Sequence, residues 1–523
     1  MRRYAFLILL FLLVLLAPLA ARLIVTRGKA ASAGSGNAAL RLVVISPHNQ
    51  DIRREFARAF SDWHREKFGQ LVEIDYRTPG GSNDVVRLLT TTYAVQRSPD
   101  GKLPPQDRAR ADIDVAWGGG DVTFDRELKP LGILQPIELP DDPNLLAEAF
   151  PDKALSGVKL YEESIDPKTK KPTPLWVGVC LSSFGIVYNP DVYATLRLPA
   201  PARWQDLADP HLSGWLALAD PTHSGSAGVT YMMVLQRAMA DAEEAYHAGH
   251  PGPLKKSDPA YQAAIADGWH RGMGQLLLIA ANARYFTDNA TQPPNDVGNG
   301  EAAAGVAIDF YGRTSEHEVG SSRIRFLAPR AATAVTPDAV AILYGVKGDR
   351  QVLARQFVQF LLTRRGQLLW IRKPGQPDGP IERALHRPPI RRDLYAPGTD
   401  RRAWADDVNP FDESGGFNQR GEWMALFSDI RPIWAAAWID SRDDLRSAYA
   451  KVLAVNDDAR RSVLLAKLAD LPITMGQVAA LRDQRKQLEA SGADSDVWKA
   501  EQRQAWARTF RDHYASVAAE SGQ

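Results

Sequence analysis

A chain of 523 residues, 45% apolar and 24% charged, is globular and long enough for roughly two to four domain-sized units, so core burial is no constraint. With 63 Lys and Arg against 62 Asp and Glu the formal net charge is +1, which excludes a global field aimed at nucleic acid or at an acidic partner. A single cysteine, Cys180, excludes an internal disulfide framework and a cysteine-based zinc site. It sits in the apolar stretch 176–188, where a small buried thiol is expected.

At the N-terminus Arg2 and Arg3 precede an uncharged apolar run from Tyr4 to Ala21, followed by Arg22, Arg27 and the small-residue tract AASAGSGNAA. This pattern is an export signal. The run lies near the lower limit for a membrane-spanning helix, so a cleaved signal peptide and a retained signal anchor both stay open, with Ala31, Ser32 and Ala33 as a candidate cleavage site. No cysteine follows the run, which argues against a bacterial lipoprotein anchor. The body of the protein is therefore expected to work outside the cytoplasmic membrane.

Leu40 to Ile45 reads as a buried strand, Ser46 to Asn49 as a turn, and Ile52, Phe56, Phe60 and Trp63 recur at helical spacing. Val72, Ile74 and Tyr76 alternate with polar residues as a second strand, which ends in Thr78, Pro79, Gly80, Gly81 and Ser82 and opens into a helix. Ile113, Val115 and Trp117 form a third strand, closed by Gly118, Gly119 and Gly120. Strand, loop and helix alternating in this way predict a parallel sheet, whose ligands lie beyond the carboxyl ends of the strands. All three loops sit there. Two stretches, 97–110 and 163–174, read as polar surface insertions.

The arrangement repeats at 204–228, WQDLADPHLSGWLALADPTHSGSAG, where an apolar strand from Trp215 to Ala219 runs into Thr222, Ser224, Gly225 and Ser226 ahead of an apolar helix. The first N–H groups of a helix lack intrahelical partners and the dipole is positive there, so an anionic or strongly polar group is favoured. The plainer alternative is that Ser224 or Ser226 only caps the helix. A further apolar run from Ala302 ends in Asp309, Phe310, Tyr311 and Gly312; 337–346 reads as a return strand and 350–370 as an amphipathic helix. The chain crosses between lobes more than once, which implies a hinge. Residues 374–410 are irregular and rich in Arg and Pro, and the section from Asp457 reads as a helical appendage with a solvated face.

Taken in order, these pieces resemble the extracellular solute-binding proteins of ABC transporters, in their ferric-iron, thiamine and phosphonate-like branch. The matching text is YNPDVY at 188–193, the segment 204–228, NGEAAAGVAIDFYG at 299–312 and AVTPDAVAILYGVKGDRQVLARQFVQFLLTRRGQ at 334–367, within a similarity covering roughly residues 40–372. The resemblance implies an α/β, two-lobed periplasmic-binding-protein fold of type II that closes on its ligand about a hinge and presents the closed form to an ABC permease in the membrane. Residues 1–38 are then a signal peptide or signal anchor with its linker, and 39–372 the two-lobed domain. Lobe 1 is expected at about 39–178 with a returning segment at about 315–345, lobe 2 at about 179–314, and a mainly helical C-terminal extension at 373–523.

In the iron-binding branch the metal is held by a histidine after the first strand, an acidic residue and two adjacent tyrosines. His48 stands in the first place, but the tyrosine pair reads Phe310 and Tyr311, so one phenolate is missing. Ferric iron prefers oxygen ligands, and if it binds, His48, Asp309 and Tyr311 are its expected ligands. The favoured solute is instead small and polar or anionic, of phosphonate, phosphate-ester or carboxylate type, needing no metal or other cofactor. Its expected contacts are Ser46, His48, Asn49, Gly80, Gly81, Ser82, Trp117, Gly118, Gly119, Thr222, Ser224, Gly225, Ser226, Asp309 and Tyr311, with Arg284 or Arg313 balancing charge. For His48 a structural turn role stays open, for Tyr311 packing at the cleft edge, and for Trp117 closure of the lobe interface.

Two other classes compete. Catalysis lacks a GxSxG elbow, an HExxH pair or a P-loop, and the chain is read as not an enzyme. A membrane-anchored ligand sensor would draw on a retained N-terminal anchor and the C-terminal extension.

Overall fold

The computed structural model describes residues 39–139, 141–165, 170–253, 255–413, 415, 417–491 and 495–522. The N-terminal apolar run and its cleavage triplet lie outside them, and among the described residues no helix is long and apolar enough to cross a membrane. In the first lobe β1 (Leu40–Ile45) runs into α1 (Gln50–Phe68), which begins where the Asn49 side chain accepts the Ile52 N–H and buries Ile52, Phe56, Phe60 and Trp63 as one stripe. β2 (Val72–Arg77), α2 (Ser82–Ala94), β3 (Val115–Trp117) and β4 (Leu134–Gln135) follow. A small hairpin of β5 (Ala154–Leu155) and β6 (Val158–Lys159) leads to β7 (Tyr161–Ile165) and β8 (Pro172–Ser182). The stretch 163–174, expected as a surface insertion, contains the ends of the paired strands β7 and β8.

The chain crosses at Ser183 into a second sheet, with β9 (Phe184–Tyr188), β10 (Leu216–Ala219), α3 (Gly225–Gly249), α4 (Pro259–Ala281), β11 (Ala283–Thr287), β12 (Ala304–Ile308), α5 (Asp309–Val319) and β13 (Arg325–Leu327). It returns through β14 (Thr336–Leu343), α6 (Asp349–Leu362) and α7 (Arg364–Ile371), the last two separated where Thr363 caps α7 through Gly366 N–H rather than forming the single helix expected at 350–370. The sheets run β2-β1-β3-β14-β8-β7, with β4 also on β14, and β11-β10-β12-β9-β13. Each has a parallel heart, β2-β1-β3 and β11-β10-β12, and antiparallel strands beyond it, so the sheets are mixed and not parallel throughout. β13 pairs with β9, so lobe 2 extends past the expected return at 315 and the crossing back falls just before Thr336.

The C-terminal part departs most from the sequence reading. It contains α8 (Phe427–Trp438), α9 (Arg442–Leu453), α10 (Asp458–Ala469), α11 (Met475–Ala490) and α12 (Ser495–Ser521). These do not form an appendage. Trp434 and Trp438 stack at 5.9 Å, and Tyr231 of α3 meets each ring edge-on near 6 Å. Phe510 and Tyr514 of α12 are fully buried in the same cluster as Leu235, Trp269 and Leu276, so lobe 2 and the extension share one core.

Candidate functional site

The loops at the carboxyl ends of β1, β2, β3 and β10 line a cavity of about 390 Å³ between the two sheets. Its floor is an ion network on β14. The pairing of β14 with β8 shifts register between Asp338 and Ala339, and such a bulge re-aims a side chain. Asp338 Oδ1 accepts the N–H groups of Gly119 (2.7 Å) and Gly120 (3.1 Å), while Oδ2 accepts from Arg387 Nη1 (2.5 Å) and His48 Nε2 (2.9 Å). Arg387 arrives on a strap running along β8, held by Leu181 N–H to Pro388 O, and it also donates to Ser182 Oγ at 2.7 Å. Its guanidinium lies 4.3 Å from the Phe310 ring centre.

Burial alone would raise the Asp338 carboxyl, but Arg387, His48 and the Gly120 N–H hold it well below the usual carboxylate range. Burial lowers His48, and the pull of Asp338 does not reverse that. A neutral His48 gives its Nε2–H to Asp338 and accepts the Ser46 hydroxyl at Nδ1, 3.1 Å away. Gly118 lets the backbone pass over this ring: its φ is 98°, and a Cβ there would lie 2.7 Å from His48 Cε1. Because the folded form binds fewer protons at both groups, this stability is complete above the unfolded histidine value of about 6.5 and declines as pH falls from there, with a second decline below about 3.9 as Asp338 is drawn toward protonation. Urea unfolding across this range should show the first decline in the wild type and a flatter upper limb in His48→Gln, which keeps a donor for Asp338. A wild-type stability that is constant between neutral pH and the carboxylate range contradicts the assignment.

The walls come from both lobes. The start of α2 at Gly81 and Ser82 and the start of α3 at Gly225 and Ser226 line the cavity from facing sides. Ser224 takes both roles left open by its sequence, since its hydroxyl accepts the Ala227 N–H at 3.2 Å and it also borders the cavity. Asp121 borders the cavity beside Gly120, and its carboxyl is pushed up to about 7, chiefly by burial. The lobes touch across the mouth: Asn83 Nδ2 donates to Thr222 O (2.7 Å), and Arg431 of α8 donates to Asn83 Oδ1 and Glu127 Oε1, each at 3.1 Å.

Of the residues expected to meet a ligand, His48, Asn49, Gly80, Gly81, Ser82, Gly119, Ser224, Gly225, Ser226 and Tyr311 border this cavity. The rest are used elsewhere. Ser46 is buried behind His48, Gly118 passes over its ring, and Trp117 packs edge-on to that ring at 4.4 Å from within the lobe 1 core. Thr222 turns its N–H and hydroxyl onto Asp220 Oδ1, both at 2.6 Å. Asp309 accepts the N–H groups of Ser183 (2.9 Å) and Phe310 (2.7 Å), bracing the crossover behind the cavity. Of the expected iron set only His48 and Tyr311 border the cavity, since Asp309 spends both carboxylate oxygens on backbone N–H groups and lies outside the lining; burial pushes the Tyr311 phenol up to about 12. Arg284 and Arg313 lie outside the lining; Arg284 reaches Glu301 O, and Arg313 sits over the Phe326 ring.

Sequence reading missed Asp338, Arg387, His223, Asp121 and Arg431, all of which border the cavity. Only Asp338 carried a signal, as one carboxylate inside the apolar text of a buried strand.

Residues 131–377 match the family model described as bacterial extracellular solute-binding protein. Over 213 residues the chain is 25% identical to a phosphoglycerate transport regulatory protein of Salmonella typhimurium, covering 41% of this chain and 44% of that protein. The chain thus spans less than half the length of that curated relative. Over 342 residues it is 23% identical to an uncharacterized protein of Haemophilus influenzae, covering 65% of this chain and 78% of the other. Similar solved structures include the periplasmic binding protein AfuA of Actinobacillus pleuropneumoniae with fructose-6-phosphate bound, at 17% identity and TM-score 0.46, covering 75% of this chain and 98% of that one. Iron-bound HitA of Pseudomonas aeruginosa is similar at 19% identity and TM-score 0.44, covering 75% and 99%.

Proposed function

We propose that this chain, whose residues 131–377 match the family model described as bacterial extracellular solute-binding protein, is the extracytoplasmic binding component of an ABC importer. It takes a small polar or anionic solute into the cleft between its lobes and delivers it, chemically unchanged, to a membrane permease. The N-terminal apolar run directs the chain out of the cytoplasm or tethers it to the membrane.

The observation that carries the ligand class is the meeting of the two helix starts, α2 from lobe 1 and α3 from lobe 2, across one cavity. Their free N–H groups and the Ser82, Ser224 and Ser226 hydroxyls suit the oxygens of a phosphate ester, phosphonate or carboxylate. The bordering arginines are already matched, Arg387 to Asp338 and Arg431 to Glu127, so the bound oxygens are held by aimed dipoles rather than by a free cation. Phe184, Val229 and Phe310 give the cavity an apolar side for the solute's carbon body. The name of the Salmonella relative points to the same chemistry, a phosphorylated carboxylate.

Calorimetry with sugar phosphates, phosphoglycerates, alkyl phosphonates, simple carboxylates and ferric citrate tests this reading. Ser224 is extended (φ −102°, ψ 114°), which a following proline accepts, so Gly225→Pro deletes the first α3 donor while leaving the helix start intact. One hydrogen bond to a charged group contributes about 1.5–3 kcal/mol, so Gly225→Pro should weaken binding about tenfold or more at near-wild-type melting temperature. Tight ferric binding with no response to any organic anion would sink the proposal.

A further inference from the structure

Away from the cleft, three ligand-type side chains meet where lobe 2 touches the strap that carries Arg387. His317 lies on α5, His386 directly precedes Arg387, and Asp406 lies farther along the same irregular segment. Asp406 Oδ2 accepts from His386 Nδ1 at 2.7 Å and Oδ1 accepts from His317 Nε2 at 3.0 Å, and the imidazole rings stack at 4.4 Å. Asp406 and His386 are buried, while His317 is half exposed, so the cluster opens to solvent on one side. His386 also holds a left-handed backbone, φ 53°, which a non-glycine residue keeps only where its surroundings hold it there.

We propose that His317, His386 and Asp406 form a binding site for a divalent transition metal, with zinc as the best fit. Two imidazole nitrogens and one carboxylate oxygen are a borderline-soft, three-ligand set, and the exposed side leaves a position for water. The ligand atoms all lie within 4.8 Å of one another. Bonds of about 2.0–2.1 Å around a tetrahedral zinc place ligand atoms about 3.3 Å apart, so each histidine backs off from Asp406 by a few tenths of an ångström and the two histidines draw together. At each coordinating nitrogen the metal takes the lone pair, and the proton now aimed at the carboxylate sits instead on the other nitrogen of the same ring. Arg313 acts electrostatically on Asp406 and weakens the site's net pull on a cation.

The position gives the metal a consequence. α5 places Phe310 and Tyr311 in the cavity wall, and the residue after His386 is the arginine in its floor. A metal here fixes the lobe 2 wall to the strap on lobe 1 without entering the cleft. The inference does not rest on the identity of the solute.

Titrating the full-length chain with Zn2+ against a competing chelator, and with Co2+ read by its visible d–d bands, tests the site. One equivalent should bind to the wild type. Loss of a mere supporting partner weakens a metal site roughly 10–100-fold, so His317→Ala and Asp406→Asn should weaken it by at least about 100-fold. His317 is half exposed, so His317→Ala is expected to fold, with circular dichroism as the check. His211→Ala, a histidine outside the cluster, should bind as the wild type does. Absence of binding in the wild type, or equal affinity in a folded His317→Ala, overturns the proposal, whatever the outcome of the solute panel.

Discussion

Arg387→Ala should lower the unfolding free energy by about 3–5 kcal/mol and abolish solute binding, because it leaves the buried carboxylate of Asp338 without its cation. The two effects share one cause. Asp338 Oδ1 holds the Gly119 and Gly120 N–H groups, and the backbone they fix, with positive φ at Gly118, Gly119 and Gly120, forms one wall of the cavity. An uncompensated charge would pull water toward Asp338 or force its protonation, and either moves that turn. The double variant Asp338→Asn with Arg387→Met is the informative companion. Asparagine keeps a carbonyl oxygen for the glycine N–H groups, and methionine keeps apolar bulk against Phe310 and Trp370. Removing both charges is often neutral where removing one is severe, so the double should lie closer to the wild type than the single in urea unfolding. A single variant that loses less than about 1 kcal/mol would show that the network is not what holds the floor.

What the sequence made legible was local. The Ile52, Phe56, Phe60 and Trp63 stripe, the apolar strands and the glycine or hydroxyl loops after β1, β2, β3 and β10 all follow from spacing within one element. The floor does not, because His48 meets Asp338 and Arg387 across 290 and 339 residues of chain. Nor can spacing say whether a polar side chain at a strand end faces the cavity or is consumed by nearby backbone. Ser224 does both, whereas Thr222 and Asp309 spend their oxygens within the protein. The extension was misread for a different reason. Its charged composition concealed a narrow apolar stripe in α12, Ala507, Phe510, Tyr514 and Val517, whose three- and four-residue steps mark a buried helix face. Net polarity described the solvent side of the helix and hid the side that packs.

That stripe leads to the second large effect. Trp434→Ala should cost about 3–5 kcal/mol, the range for a fully buried large aromatic, since the ring stacks on Trp438, meets Tyr231 edge-on and points its Nε1–H at Met273 Sδ 3.3 Å away. Ending the chain at residue 420 should be worse. It would expose Tyr231 and Leu235 of α3 and Trp269, Met273 and Leu276 of α4 together, and a contiguous apolar surface of that kind drives aggregation. The truncated chain should therefore be insoluble or lose lobe 2 to limited proteolysis, with lobe 1 more resistant because its core is a separate cluster. A truncated protein that stays soluble and melts as the wild type does would return the extension to the status of an appendage. Solute binding should fail along with folding for a structural reason of its own. α8 carries Phe427 into the cavity lining and sends Arg431 across to Glu127 and Asn83, so the helix that completes the lobe 2 core also spans the mouth of the cavity.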